Sequence, residues 1–472
     1  MKRILLGIIL IISGLGMFVF HKYSDDYYIA TGFSAKNICS GHFVSGFSGQ
    51  LVKDEGLVPI SDLFEKVNFH IDETEKQVTT DIYGLFDRVA IFNPGMGCRL
   101  LSPDQAERDN TKQSLIIKPI EYDPLNESTP WPLGLADANQ SNEQVNYSKL
   151  DEAITSAFFE LNNQKVRHTK AVVIIYKGQL IAEQYADGVG KTTPLLSWSM
   201  AKSVTNMLVG LLVKDGKLDV FQKAQVPQWQ AGGDPRQDIT LDQLLRMSSG
   251  LEFKEIYGLG SDTVKMLSVE SSASDFSADQ KLIFKPDEHW TYSSGTSNII
   301  SGIIRRQFNG DYQAYYQYPQ ERLFRPLSIS TAVIEADPNG TFIGSSYMYA
   351  SARDWAKLGQ LMLQKGKWQG EQILDESWVD YSITATENNP INNYGAHFWL
   401  NLQPSQSEGN EQKQPRWPNV PRDAYLMSGF QGQVIVVIPS RNLVVVRLGY
   451  TKPGSDKGIE TLLEGVLNSI GS

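Results

Sequence analysis

Cysteine is scarce in this chain: Cys39 and Cys98 are the only two in 472 residues. That excludes a disulfide-dense mini-domain and a cysteine-rich zinc module, and no C-x-x-C is present to serve as a redox pair. Histidine is almost as rare. His21, His42, His70, His168, His289 and His397 form no H-E-x-x-H and no close pair, so no metal is expected. No G-x-S-x-G elbow surrounds any serine, and neither a phosphate loop nor a dinucleotide fingerprint occurs, so no cofactor is expected. Lys and Arg form no dense cluster. The net charge is −10, or −13 once Lys2, Arg3 and Lys22 are set aside, a balance that repels polyanions and excludes nucleic acid as the expected partner.

Long apolar runs are likewise lacking, with one exception. Lys2 and Arg3 precede an uncharged stretch from Ile4 to Phe20, followed by His21, Lys22, Asp25 and Asp26. A short basic region before an apolar segment is an export signal. Bulky Phe18, Val19 and Phe20 stand where a signal peptidase needs small residues, so residues 4–20 are expected to remain as a membrane anchor rather than be cleaved. The expected location is therefore extracytoplasmic or periplasmic, with membrane contact through this segment alone. In an oxidising compartment Cys39 and Cys98 read as one disulfide, the alternative being two buried thiols.

Composition is that of a folded protein, 41% hydrophobic and 20% charged, and the length implies more than one unit. Residues 1–23 form the export segment. Residues 24–120 form a small N-terminal unit with strand-like runs at Gln77–Tyr83 and Arg88–Phe92 and a turn at Asn93-Pro94-Gly95. Residues 121–146, rich in Pro, Asn, Ser and Gln, have linker composition. In residues 147–472, Leu150, Ile154, Phe158 and Leu161 recur at helical spacing before two strands, Ala171–Tyr176 and Gln179–Tyr185. Strand signals return only at Val434–Ile438 and Leu443–Leu448, followed by a helix over Gly458 to Ile470. The expected fold class is α/β: an antiparallel sheet flanked by terminal helices, with a mostly helical subdomain inserted and the small unit in front.

The chemistry-bearing residues lie in and after that insertion. In Ser197-Trp198-Ser199-Met200-Ala201-Lys202 the spacing predicts a helix starting near Ser199 and stopped by Gly216. Ser199 and Lys202 then share one face a turn apart. A serine hydroxyl needs a base, and a lysine buried against apolar surface favours its neutral form and can take the proton. S-x-x-K alone is a weak signal, expected about once or twice by chance at this length. Trp290-Thr291-Tyr292-Ser293-Ser294-Gly295 adds a phenol that can pass protons beside a cation, with Ser294 placed to bond Lys202 or substrate. In Ser428-Gly429-Phe430-Gln431-Gly432-Gln433, glycines beside a strand let a substrate approach. Gly432 is expected to line that approach, and the Gln433 N–H to pair with that of Ser199 as an oxyanion hole. Asp354 is expected to fix a helix start, and His289, three residues before Tyr292, to lie near the cleft in a surface or packing role rather than touch substrate.

Taken in order, Leu196-Ser197-Trp198-Ser199-Met200-Ala201-Lys202-Ser203, Met247-Ser248-Ser249-Gly250-Leu251, Tyr292-Ser293-Ser294-Gly295, Tyr349-Ala350-Ser351-Ala352-Arg353-Asp354 and Gly429-Phe430-Gln431-Gly432-Gln433 resemble the penicillin-recognising serine hydrolase superfamily. The resemblance covers about Tyr147 to Ser472 and is greatest to the branch with 6-aminohexanoate-dimer hydrolases. It implies a β-lactamase/transpeptidase-like fold, with Ser199 as nucleophile, Lys202 as general base and Tyr292 as proton relay. The expected substrate is a small ester, amide or peptide-like molecule, cleaved through an acyl-enzyme.

Two departures bear on the substrate. Ser294 stands where β-lactamases and DD-peptidases usually carry Asn, and Phe430-Gln431-Gly432 lacks the cation of their third motif. Both tilt the expectation from β-lactams and D-Ala termini towards neutral esters or amides, although Arg422 is available to supply charge. A β-lactamase or DD-peptidase is the alternative enzyme. A non-catalytic sensor of cell-wall fragments is the alternative from another class.

Overall fold

The computed structural model describes residues 24–102, 126–136, 142–160, 162, 165–402 and 414–471. The proposed anchor at residues 4–20 lies outside the described residues, as do residues 121–125 and 137–141 of the linker. Among the described residues no helix is long and apolar enough to cross a membrane.

The N-terminal unit opens with helix α1 (24–43), which the sequence did not reveal. Residues 29–41 are buried on every side of it, polar Thr31, Ser34, Lys36 and Asn37 included. A helix enclosed all round has no polar stripe, and so shows no amphipathic period to detect. An antiparallel meander follows, β1 (Asn68–Asp72), β2 (Gln77–Ile82), β3 (Leu85–Asn93) and β4 (Gly97–Leu100), in that spatial order. In β2 alternate residues Val78, Thr80 and Ile82 are buried, as a half-covered strand requires. A Cys39–Cys98 disulfide ties α1 to β4.

The larger unit begins with α2 (Tyr147–Phe158), whose first turn is capped by the Asn146 side chain accepting from Lys149 N. Strands β5 (Thr169–Tyr176), β6 (Gln179–Tyr185) and the short β7 (Leu195–Leu196) lead into α3 (Ala201–Lys214). The helical insertion contains α4 (Ser294–Arg306), the short strands β8 (Val333–Ile334) and β9 (Met348–Ala350), α5 (Ala352–Leu363) and a hairpin, β10 (Lys367–Trp368) with β11 (Glu371–Gln372). The chain then returns as β12 (Trp399–Leu400), β13 (Tyr425–Ser428), β14 (Val434–Ile438), β15 (Leu443–Gly449) and α6 (Ile459–Ser469).

The main sheet has six antiparallel strands in the order β12-β13-β14-β15-β5-β6. Val172, Ile174, Val434, Val436 and Val445 face α2 and α6, whereas Val173, Ile175, Ile435, Val437 and Val444 face α5 and the insertion. Both faces are covered, so β14 is wholly apolar and β5 and β15 carry consecutive apolar residues, Ala171–Tyr176 and Leu443–Val446, rather than alternating ones. Asp354 marks a helix start as expected: Ser351 caps α5 by accepting from Asp354 N, and the Asp354 carboxylate accepts from Ser330 N, Thr331 N and Thr331 Oγ1.

Candidate active site

Ser199 stands where the insertion meets the end of β13, against Gly429. The turn that carries it, Trp198–Met200, is a 3-10 segment ahead of α3, so the α-helix starts at Ala201 rather than at Ser199. Trp198 holds φ +46°, a left-handed conformation costly for a bulky side chain and sustained only by its surroundings. Those surroundings are aromatic: Phe33 stacks on the indole at 6.0 Å, and Tyr257 and Phe430 meet it edge-on at 5.3 and 5.7 Å.

Lys202 is 1% exposed. Its Nζ lies 3.1 Å from Ser199 Oγ, 2.9 Å from Ser294 Oγ and 3.0 Å from the Ser345 carbonyl. A neutral amine has two N–H donors and one lone pair, which fit two of these partners as acceptors and Ser199 O–H as donor. Burial lowers the Lys202 pKa to about 8, with the Glu255 carboxylate opposing. Asn298, one turn into α4, exchanges hydrogen bonds with Ser345 and so fixes that carbonyl's segment.

Ser294 is fully buried between a cation and a carboxylate. It accepts from Lys202, donates its O–H to Glu255 Oε1 at 2.7 Å, and donates its N–H to Glu255 Oε2 at 2.6 Å. The Glu255 carboxylate thereby also satisfies a free N–H at the start of α4, where negative charge is favoured. Sequence reasoning missed Glu255, which sits 39 residues from its partner in a loop without a motif.

Tyr292 places its ring 4.9 Å from Lys202 Nζ. Burial pushes its phenol well above the ordinary value, with Tyr394 and Glu255 adding and the Ser199 hydroxyl opposing. A second phenol, Tyr257, is also raised by burial and by Glu255, with the Ser346 and Ser199 hydroxyls opposing. Tyr257 was not identified from sequence either; it stacks on Phe430 at 4.2 Å. Two aromatic walls therefore flank the nucleophile. Trp198, Tyr257 and Phe430 form one, and Tyr292, Tyr394 and Trp399 form the other, with centroids 4.8–5.8 Å apart.

His397 is buried directly beneath α3. Its Nδ1 contacts the Lys202 carbonyl at 2.8 Å and its Nε2 the Ser297 hydroxyl at 3.1 Å. Burial, and then Lys202, lower its pKa to about 3. His289 packs on the exposed ring of Phe284, with centroids 4.6 Å apart, a surface packing role. The guanidinium over Trp399 belongs to Arg416, 5.1 Å from the ring centroid. Among the described residues no group of His, Cys, Asp and Glu could hold a metal ion.

The third motif folds differently around its two glycines. Gly429 abuts the nucleophile: a Cβ there would lie 2.2 Å from the Ser197 carbonyl oxygen and 3.2 Å from Ser199 N. Gly432, at φ +83°, is packed on Arg447, whose Nη1 would meet a Cβ at 2.5 Å. The Gln433 N–H faces the Phe430 carbonyl at 3.5 Å, and its side chain is bonded to Gly449. Gly429 N–H donates to the Gln433 carbonyl on the β14 side. Backbone N–H groups alternate along extended chain, and Gly429 is extended, so the Phe430 N–H faces away from the Gln433 carbonyl. Among the described residues no acceptor takes the Phe430 or Ser199 N–H.

Comparison with known proteins agrees with this geometry. The Beta-lactamase family model matches residues 154–463. A 6-aminohexanoate-dimer hydrolase of Paenarthrobacter ureafaciens is 20% identical over 324 residues, covering 63% of this chain and 77% of that protein. Among solved structures, a candidate 6-aminohexanoate-dimer hydrolase from Bacillus anthracis superposes with a TM-score of 0.55 at 18% identity, over 80% of this chain and 90% of its own. EstCE1, a hydrolase with promiscuous acyltransferase activity, gives 0.53 at 14% identity over 68% and 98%. With the family model spanning most of the chain and the buried lysine in contact with the serine it would activate, the protein belongs to the Beta-lactamase family and is a serine hydrolase.

Proposed function

We propose that the chain cleaves a small, neutral ester or amide through an acyl-enzyme on Ser199. The observation that carries this is the buried contact of Lys202 Nζ with Ser199 Oγ, in a lysine whose burial favours the neutral amine. Lys202 takes the Ser199 proton as Oγ attacks the substrate carbonyl. The resulting oxyanion is held by the N–H groups of Ser199 and Phe430, an assignment that replaces the Gln433 N–H expected from sequence. Tyr292, protonated at neutral pH, gives a proton to the leaving alcohol or amine and is reprotonated through Lys202. Ser294 and Glu255 orient the ammonium formed during attack. Water then attacks the acyl carbon, and the same groups act in reverse.

The aromatic walls favour an apolar acyl or leaving group. We propose as well that the enzyme works outside the cytoplasm, tethered by residues 4–20. The basic-then-apolar start of the sequence and the Cys39–Cys98 bond support that placement.

The test is intact-protein mass spectrometry after incubation with p-nitrophenyl butyrate and, separately, penicillin G, alongside Ser199→Ala. A butyryl adduct or turnover that disappears in Ser199→Ala is expected. A penicilloyl adduct without ester turnover would overturn the neutral-substrate reading. A folded protein inert to both, and to a panel of small amides, would overturn the hydrolase mechanism on Ser199.

A further inference from the structure

Gln431 occupies an unusual position for a residue that touches no reacting atom. It is 3% exposed and holds φ +56°. Its side-chain Oε1 accepts from the Trp198 indole N–H at 3.0 Å, and its Nε2 donates to the Gly56 carbonyl at 3.0 Å. The two partners require opposite ends of the amide, so its orientation is fixed by the hydrogen bonds themselves. The Gln431 carbonyl in turn accepts from Thr451 N at 3.0 Å and from Arg447 Nη1 at 3.3 Å.

Each flanking turn carries one half of the oxyanion site proposed above. Trp198 immediately precedes Ser199, Gln431 immediately follows Phe430, and both are non-glycine residues in the left-handed region. Neither conformation is favoured locally. The indole–amide bond couples the two turns directly.

The third party to that bond comes from the N-terminal unit. Gly56 belongs to the π-helical turn Val52–Leu57 that follows α1, and α1 also supplies Phe33, stacked on the same indole. That unit is itself anchored on the hydrolase domain. Lys36 pairs with Glu335, both essentially unexposed, and the same carboxylate accepts from Ser40 Oγ at 2.8 Å and Cys98 N at 2.6 Å.

We infer that Gln431 is a positioning residue for the oxyanion site, and that residues 24–102 serve as its scaffold, Gly56 holding the Gln431 amide and Phe33 the Trp198 indole bonded to it. This rests on the Ser199 mechanism proposed above. A loss of alignment between two N–H groups weakens stabilisation of the tetrahedral intermediate and leaves ground-state binding nearly untouched.

The experiment compares wild type with Gln431→Met, which keeps length and apolar volume but neither hydrogen bond, with Trp198→Phe, which keeps an aromatic ring but loses the indole donor and part of the packed volume, and with the double variant. Folding is checked by circular dichroism and thermal unfolding. The rate of Ser199 labelling by a fluorophosphonate probe, and kcat and KM for p-nitrophenyl butyrate, are then measured. In Gln431→Met, labelling and kcat are expected to fall about 10- to 100-fold with KM changed about twofold or less. The double variant is expected to be no worse than the poorer single variant, because the same Trp198–Gln431 hydrogen bond is lost in both. Phe33→Leu provides the N-terminal arm, with a smaller loss of kcat expected at constant KM. Folded Gln431→Met and Trp198→Phe variants labelled as fast as wild type would overturn the inference. Failure of wild type itself to label at Ser199 would instead count against the hydrolase mechanism.

Discussion

The imidazole of His397 is bonded to the main-chain carbonyl of Lys202, at 2.8 Å, and not to any group that reacts. The only histidine beneath the nucleophile among the described residues is thus a structural prop: its Nδ1–H donates to the first turn of α3 while Nε2 accepts from Ser297. In the proposed mechanism base chemistry is left to Lys202. A neutral ring suits this place, since a charged one would face the Lys202 ammonium in a buried setting.

That placement has a consequence for stability in acid. His397 titrates near 3 in the folded protein and at its ordinary value of 6.5 when unfolded. Between those values the unfolded chain binds more protons, so stability falls as pH drops from about 6.5 towards 3. This group alone contributes a slope of about 1.4 kcal/mol per pH unit. His397→Asn, which keeps a donor near the Nδ1 position, is expected to give a visibly shallower slope in urea unfolding across that window. An unchanged slope would show that His397 is already protonated in the folded state.

Activity should follow the opposite end of the pH scale. The base form of Lys202 is the neutral amine, so kcat/KM is expected to rise with pH and level off above about 8. Glu255 opposes the lowering of that pKa. Glu255→Gln should therefore move the rising limb to lower pH, with a modest fall in the plateau. A limb that stays in place would remove Glu255 from the electrostatics of the site.

Charge without basicity is insufficient. Lys202→Arg keeps a cation but no accessible neutral form, and is expected to lose about 100- to 10,000-fold in kcat/KM. Retention of more than about a tenth of wild-type rate would show that another group accepts the Ser199 proton.

The two phenols can be separated by substitution. Tyr292→Phe is expected to depress acylation by an amide far more than by a p-nitrophenyl ester, whose leaving group departs without a proton. Tyr257→Phe should show a smaller difference between the two substrates. Equal losses on both substrates in Tyr292→Phe would exclude it as the donor to the leaving group.

The disulfide closes a long segment, with Cys39 and Cys98 separated by 59 positions. Replacing both by serine should cost about 4 kcal/mol, measured by urea unfolding of the oxidised wild type against the variant. The variant is also expected to lose activity before global unfolding, because Phe33 and Gly56 lie in the released unit.

Much of this enzyme can be read from local pattern. Strands β5, β6, β14 and β15 and the terminal helices declare themselves by runs of buried residues and turn signals, because their periodicity reflects a sheet covered on both faces. Ser199, Lys202, Tyr292 and Ser294 come in short motifs set by helix and turn geometry, and those four do meet in the folded chain. What the sequence could not decide depends on contacts between distant segments. Helix α1 is hidden because burial on all sides erases its stripe. Glu255 and Tyr257 reach the site from a motif-free loop, and His397 and Gln431 acquire their roles only through neighbours far away in sequence. The glycines of the third motif are the clearest case. Composition says only that the backbone there is crowded, whereas the fold puts Ser199 against Gly429 and Arg447 against Gly432. That close approach supports the Phe430 N–H as the proposed oxyanion donor, because Gly429 is extended and successive N–H groups of extended chain face opposite sides.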